Sequence, residues 1–292
     1  MWFRIGCLSR QNRWKSRKMN RKAIFLDVDG TLLNDEHQMP KENVEALKKA
    51  VDAGHEVVIT TGRPTFSAGM LLKKYGLDQV GCHYVIAFNG GIMKDCRTGE
   101  IFFSQTFPIS LVKELIGYAR EAGIYLQTYE GEAVVTDRDD ENLEQYTAKT
   151  GMKKKVVPDL LEAVCEEPCK VLAIDLHDRE KLADFCTRMG EWAKDKADMY
   201  FSCKEYLEIV PQGICKGNAL RAFCEKTGIP VEDTIAAGDD CNDLSMIEAA
   251  GIGCAVANAV ERVKEAADYV TERDNNHAAV AEIIEKFMLN EA

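Results

Sequence analysis

A doubly wound α/β core built on a parallel sheet, carrying an inserted α+β unit, is the fold class this chain predicts. Three observations point there. Between Arg21 and Phe88, short β-branched runs alternate with helical stripes, and the alternation returns from Lys216 onward. Over residues 91–210, hairpin-like patterns replace it. At 292 residues the chain is long enough for two domains, so a core interrupted by a second unit is economical.

The elements follow in order. Lys22–Leu26 (KAIFL) is a short apolar run, read as a buried strand. Lys41–Ala53 places Val44, Leu47, Ala50 and Val51 on one helical stripe, and Gly54 ends it. Glu56–Thr60 (EVVIT) is a second strand. Pro64 suits the first turn of a helix running to about Tyr75, with Gly76 as its stop, and Tyr84–Phe88 is a third strand. This β-α-β-α-β order implies parallel pairing with right-handed crossovers. After Asn89-Gly90-Gly91, Ile92–Asp95 and Glu100–Gln105 flank Arg97-Thr98-Gly99 as a hairpin. A helix at Ser110–Glu121 and strands at Tyr125–Tyr129 and Ala133–Thr136 come next. Helices at about Asp159–Glu166 and Arg179–Lys194 bracket a strand at Lys170–Leu176, and strands near Met199–Ser202 and Tyr206–Val210 close the insert. The run Lys153–Lys155 reads as a solvated face. From Lys216 a helix to Lys226, a strand Thr234–Ala237, a helix from Asn242, a strand Ile252–Val256, a helix from Ala259 and a last helix to Phe287 complete the core. The organisation expected is a non-structural basic extension over 1–18, a core of 19–90 and 211–292, and a cap of 91–210.

Composition excludes several functions. Asp plus Glu number 48 against 37 Lys plus Arg, a net charge of -11, which argues against nonspecific binding to nucleic acid or to an anionic membrane surface. No apolar run approaches the roughly 18 residues of a membrane span. The eleven cysteines form no C-x-x-C pair, and no histidine stands at zinc-ligand spacing from Cys165 and Cys169. They read as free thiols in a reducing, cytoplasmic compartment. Residues 1–18 hold six basic residues and no acidic one, a pattern shared by targeting leaders and by extensions upstream of a start at Met19; the latter is the reading adopted.

The chemistry gathers where strands end. Asp27-Val28-Asp29-Gly30-Thr31 follows the first strand, and in open α/β sheets ligands bind beyond the carboxyl ends of strands. Two carboxylates so placed repel each other by several kcal/mol unless a cation lies between them, and oxygen ligands around a small cleft favour Mg2+. Gly30 lets the chain turn away. A second acidic group, Gly238-Asp239-Asp240-Cys241-Asn242-Asp243, follows the strand Thr234–Ala237; helix capping would explain one of these residues, not the cluster. Thr60-Thr61-Gly62-Arg63 ends the second strand ahead of a helix, where a hydroxyl and main-chain N–H groups can hold phosphate oxygens. Lys216-Gly217 opens a helix and offers a compact positive charge. The five histidines are isolated, Gly251-Ile252-Gly253 lacks a third glycine at dinucleotide spacing, and the P-loop, zinc-protease and serine-hydrolase motifs are absent.

In this order, D-x-D-G-T-L-L, T-G-R, K-G-x-A-L and G-D-x-x-N-D resemble the four motifs of the haloacid dehalogenase superfamily, over residues 22–292. The large insert, with Leu207-Glu208-Ile209-Val210-Pro211 ahead of the K-G motif, resembles the Cof-type branch of its phosphatases. The resemblance implies a Rossmann-like core under an α/β cap that selects substrate. It implies a Mg2+-dependent phosphatase of small phosphorylated metabolites, such as sugar phosphates or phosphorylated cofactors, working through an aspartyl-phosphate. Asp27 would be the nucleophile and Asp29 the acid and then the base. Thr61 and Gly62 would hold phosphate, Lys216 would offset charge, and Asn242 would touch substrate. Asp27, Asp239 and the main-chain carbonyl of Asp29 would bind Mg2+, and Asp243 would support Lys216 or the metal. The second aspartate argues against dehalogenation. Two departures from the family pattern stand out: Asp240, where asparagine is frequent, and the lack of a glycine in Asp274–Val280. A phosphomutase with the same intermediate and a noncatalytic metabolite sensor are the alternatives. Substrate identity and oligomeric state are not readable, and no physical argument selects cap residues such as Tyr129, Glu130 and Tyr206.

Overall fold

The computed structural model describes residues 21–289, so the basic extension 1–18 lies outside the described residues. The first part of the chain runs β1 (Ala23–Leu26), α1 (Lys41–Asp52), β2 (Glu56–Thr60), α2 (Thr65–Lys74), β3 (Tyr84–Ala87), β4 (Ile92–Asp95) and β5 (Ile101–Ser104). The insert follows as α3 (Ile109–Glu121), β6 (Tyr125–Glu130), β7 (Ala133–Thr136), α4 (Glu141–Thr150), β8 (Lys153–Val156), α5 (Leu160–Ala163), β9 (Val171–Ile174), α6 (Arg179–Ala193), β10 (Ala197–Cys203) and β11 (Tyr206–Pro211). The chain then closes the core with α7 (Lys216–Thr227), β12 (Thr234–Gly238), α8 (Leu244–Ala249), β13 (Ile252–Ala255), α9 (Glu261–Ala266), β14 (Tyr269–Val270) and α10 (Ala279–Ile284).

The larger sheet has the order β14-β13-β12-β1-β2-β3-β4-β5, parallel from β14 to β3. Its centre explains why KAIFL is apolar throughout. Ile24 and Leu26 face the side covered by α1, α2 and α10, whereas Ala23 and Phe25 face α7 and α8. A strand covered on both faces has no polar face to show. Phe25 meets Phe223 of α7 edge-on, with ring centres 5.3 Å apart. The register aligns Leu26 with both Ile59 and Ala237. Asp27, Thr60 and Gly238 therefore follow at one level, and the motifs after them emerge at the same edge of the sheet.

The second sheet, β10-β11-β9-β6-β7-β8, is antiparallel except for β7 with β8. One face packs under α3 and α6, with Leu115, Phe185 and Leu207 buried there. On the other, Tyr125 and Leu172 pack with Tyr146 of α4.

Several expectations need correction. The hairpin 92–104 does not open the insert. Its first strand pairs antiparallel with β3 and its second with β4, so it widens the larger sheet, and the chain crosses over at residues 105–108 rather than near Gly90. Lys153–Lys155 is solvated but is also an edge strand, its lysines paired with Glu132, Glu144 and Glu130; charge on an edge strand discourages pairing with other chains. The sequence reading missed α4. Its buried face is mostly polar (Asn142, Tyr146, Thr147 around Leu143), and it begins at the Asp140 cap. The helix expected over 159–166 is a single turn, because Val164 is already extended. The turn before α10 puts Ala278 at φ +64, the left-handed conformation that glycine adopts without steric cost.

Candidate active site

A cleft of about 730 Å3 opens beyond the carboxyl ends of β1, β2 and β12, and the insert closes its far side. On the core wall, Asp27, Asp239 and Asp243 each bring a carboxylate oxygen within 4.8 Å of the others. Lys216, fully buried at the start of α7, donates to Asp27 Oδ1 and Asp243 Oδ1, both at 2.5 Å. Asp243 Oδ2 accepts from the main-chain N–H groups of Asp239 (2.9 Å) and Asp240 (3.1 Å). Both oxygens of Asp243 are thus engaged, and it braces the lysine and the loop after β12. Asp239 Oδ1 accepts from the Thr31 hydroxyl at 2.7 Å. Among the described residues, Asp27 Oδ2 and Asp239 Oδ2 have no hydrogen-bond partner.

The local chain conformation follows from small residues. Gly30 sits at φ +81, and a Cβ there would lie 2.3 Å from Asp239 Oδ2. Any side chain would both strain the turn and expel the aspartate. At Gly217 a Cβ would come 2.1 Å from the main-chain oxygen of Ser245. The glycine lets α7 approach α8 closely enough to bring Lys216 among the carboxylates.

Three carboxylates against one ammonium leave excess negative charge in a buried place. Burial pushes the Asp27 carboxyl well above the usual carboxylate range, and the charge of Asp243 adds to this against the pull of Lys216. Burial likewise raises Asp239 to about 7, opposed by the Thr31 hydrogen bond and reinforced by Asp243. For Lys216, burial would lower the pKa, but Asp243 and Asp27 carry it above its ordinary value. A divalent cation would relieve this imbalance, and the three carboxylates lie close enough together to hold one.

Asp29 is placed differently. Its side chain leaves the cluster and takes the guanidinium of Arg63 in a two-pronged pair, Nε to Oδ2 at 2.7 Å and Nη2 to Oδ1 at 2.5 Å. Burial alone would raise its pKa, but Arg63 outweighs burial and holds the group below the usual carboxylate range. With both carboxylate oxygens taken by Arg63, only the main-chain carbonyl of Asp29 remains for the metal role expected of this residue.

The loop after β2 faces the cluster. The Thr61 hydroxyl accepts from Arg63 N–H at 3.1 Å, which leaves its own proton to donate. Thr61 N–H is committed to Ile86 O, whereas Gly62 N–H has no partner among the described residues. Asn242 donates to Asn89 Oδ1 at 3.3 Å, and Asn89 donates to the Tyr200 hydroxyl of the insert at 2.7 Å. The structure therefore brings Asp27, Asp29, Thr61, Gly62, Asp239 and Asn242 to one cleft, with Lys216 and Asp243 beneath. Asp240 instead caps the turn after β12. Of the three cap residues named from sequence, Tyr206 lines the cleft, together with Tyr146, Tyr200, Ser202 and Glu208 of the insert. Sequence reasoning missed Arg63 as a partner of Asp29, Thr31 as a support of Asp239, and Asn89 as a bridge. Arg63 and Thr31 lie inside the T-G-R and D-x-D-G-T motifs, and Asn89 carries only a turn signal in the sequence.

A family model described as haloacid dehalogenase-like hydrolase matches residues 24–284. The 5-amino-6-(5-phospho-D-ribitylamino)uracil phosphatase YwtE of Bacillus subtilis is 32% identical over 289 residues, which cover 91% of this chain and 98% of that protein. Phosphatase YwpJ of the same organism is 28% identical over 281 residues, 88% of this chain and 96% of its own. Among solved structures, a haloacid dehalogenase-like hydrolase from Bacteroides thetaiotaomicron superposes with a TM-score of 0.85 at 32% identity, covering 91% of this chain and 99% of that one.

Proposed function

This chain belongs to the haloacid dehalogenase-like hydrolases of the Cof type and is a phosphatase, and from that premise we propose that it hydrolyses phosphomonoesters of small metabolites through a phosphorylated Asp27. The observation that carries the reading is the cluster itself: buried carboxylates in excess of their one ammonium, opposite a loop with unused donors.

Asp27 and Asp239, each with one oxygen uncommitted, and the Asp29 carbonyl would hold Mg2+. When bound, the ion supplies positive charge that offsets the phosphoryl group and the nucleophile. The Asp27 carboxylate attacks phosphorus and forms an acyl phosphate as the bond to the leaving oxygen breaks. Asp29 gives that oxygen its proton. Asp29 then takes a proton from water, which attacks phosphorus, releases inorganic phosphate and restores Asp27. The Thr61 hydroxyl and Gly62 N–H hold non-bridging oxygens, and Lys216 keeps the nucleophile charged and in place.

The Arg63 pair adds a condition. It holds Asp29 ionised, the form the second half of the reaction needs. For the first half, Asp29 must carry a proton, so Arg63 must loosen its hold as substrate enters.

The substrate class is a small phosphorylated metabolite, a sugar phosphate or a phosphorylated cofactor. Two observations support it: the similarity to the ribitylaminouracil phosphatase, and hydroxyl-bearing side chains on the insert wall. Free thiols at the ten described cysteines fit a reducing cytoplasm. The test is phosphate release from p-nitrophenyl phosphate and from a panel of sugar phosphates and phosphorylated cofactors, with Mg2+ and with EDTA. We expect turnover that needs the metal and vanishes in Asp27→Asn without loss of fold. Net phosphate release separates hydrolysis from phosphoryl shuffling within a substrate, and full activity in Asp27→Asn would overturn the mechanism.

A further inference from the structure

A second buried ion pair lies on the opposite wall of the cleft. Lys170, just before β9, and Glu208 on β11 are 2% and 5% exposed. Lys170 Nζ lies 2.8 Å from Glu208 Oε2, and Glu208 Oε1 accepts from the Ser202 hydroxyl at 2.8 Å. Stability does not account for such a pair, since well-packed apolar side chains of similar size commonly do as well. What distinguishes it is where the ammonium reaches. Lys170 Nζ donates to the main-chain oxygen of Gly62 at 3.2 Å, crossing from the insert to the core. It also lies 5.4 Å from the ring centres of Phe88, on the core side, and Tyr129, on the insert.

The Gly62 carbonyl belongs to the peptide that joins Gly62 to Arg63. The N–H of that same peptide donates to the Thr61 hydroxyl, and the side chain that follows it grips Asp29. A peptide is planar, so a donor on its carbonyl also sets the direction of its N–H. One hydrogen bond from the insert thereby orients both the phosphate-facing hydroxyl and the arginine that holds the proposed acid and base.

We propose that Lys170 is a positioning residue, held by Glu208, that sets the Thr61-Gly62-Arg63 loop in its working geometry when the insert lies over the core. The proposal rests on the phosphatase reading above and adds a reason for a buried charge in the insert. The insert would then do more than select substrate, because its presence would complete the loop on the core.

The decisive variant is the pair Lys170→Met and Glu208→Gln made together, which removes both charges and leaves no buried one unpaired. We expect its circular dichroism and melting temperature to stay close to wild type. Its kcat for p-nitrophenyl phosphate should fall roughly ten- to hundredfold, the scale of a misplaced reacting group, with little change in KM, and inhibition by orthovanadate should weaken in parallel. Glu208→Gln alone should lose less, because the ammonium keeps its bond to Gly62, and Lys170→Arg should retain part of the activity. A double variant whose kcat and vanadate inhibition stay within about twofold of wild type would overturn the proposal, as would one that melts early yet turns over normally below its melting temperature. Wild-type turnover in the same assay separates the two readings: without it the phosphatase assignment fails, and with it an unaffected variant sinks only the role of Lys170.

Discussion

Replacing Lys216 with methionine separates the electrostatic account from a purely structural one. The side chain is fully buried, with its ammonium 2.5 Å from both Asp27 and Asp243. Methionine fills similar space but leaves three carboxylates with no positive partner. At 4.8 Å, the outer limit of the cluster, two unit charges repel by roughly 3 kcal/mol at an effective dielectric of about 20. Breaking a buried pair by removing one partner costs about 3–5 kcal/mol. At roughly 2–4 °C per kcal/mol for a chain near this size, the metal-free variant should melt about 6–20 °C below wild type. Mg2+ should then stabilise the variant more than it stabilises wild type, because the cluster is one unit more negative and Asp243 is released as a further donor. Phosphatase activity should nevertheless fall by at least about a hundredfold, since tighter metal binding does not replace the lost charge beside the nucleophile. Calorimetry with EDTA and with Mg2+, alongside phosphate release, reads all three quantities. A variant that melts with wild type in EDTA, or gains less from Mg2+ than wild type does, would refute the electrostatic reasoning.

Three further outcomes follow from particular contacts. Arg63→Met frees the Asp29 carboxylate to take up a proton; the hydrolysis step, which needs Asp29 as base and is common to all substrates, should slow while leaving-group protonation does not, so turnover of alkyl phosphates should drop no more than that of p-nitrophenyl phosphate, and a larger loss for alkyl phosphates would contradict the hold of Arg63 on the acid. Thr31→Val removes the hydrogen bond to Asp239 and should weaken Mg2+ binding by roughly ten- to hundredfold, as loss of such supporting bonds commonly does; titration calorimetry checks it. Gly30→Ala places a Cβ against Asp239 at a positive φ, so it should lower stability by about 1–2 kcal/mol from the backbone alone and weaken Mg2+ binding as well. Unchanged melting and metal affinity would contradict that geometry.

The parts of the fold that sequence reveals are those where local pattern and tertiary role coincide. The central strands are uniformly apolar because both faces are covered, and Asp27, Asp239 and Lys216 sit at strand or helix ends where their spacing is diagnostic. The sequence places the hairpin 92–104 in the insert, whereas it joins the larger sheet, because a hairpin pattern says nothing about which sheet it extends. Helix α4 was missed because its amphipathicity is weak: its buried face carries Asn142 and Thr147. Within the site, the partners of Asp29 and Asp239 could not be read, although Arg63 and Thr31 were in view, because spacing along the chain does not tell which side chain turns toward which. Lys170 and Glu208 look like ordinary strand residues until β9 and β11 are placed side by side.

The central claim is that a divalent ion joins Asp27 and Asp239 while Asp27 carries the phosphoryl group. A crystal grown with Mn2+ and beryllofluoride, a mimic of the acyl phosphate, tests it directly by anomalous scattering. The account predicts one manganese peak bonded to the carboxylates of Asp27 and Asp239, with beryllofluoride on Asp27 and within reach of the Thr61 hydroxyl. Beryllofluoride bound elsewhere, or a cleft without manganese between those two aspartates, would contradict it.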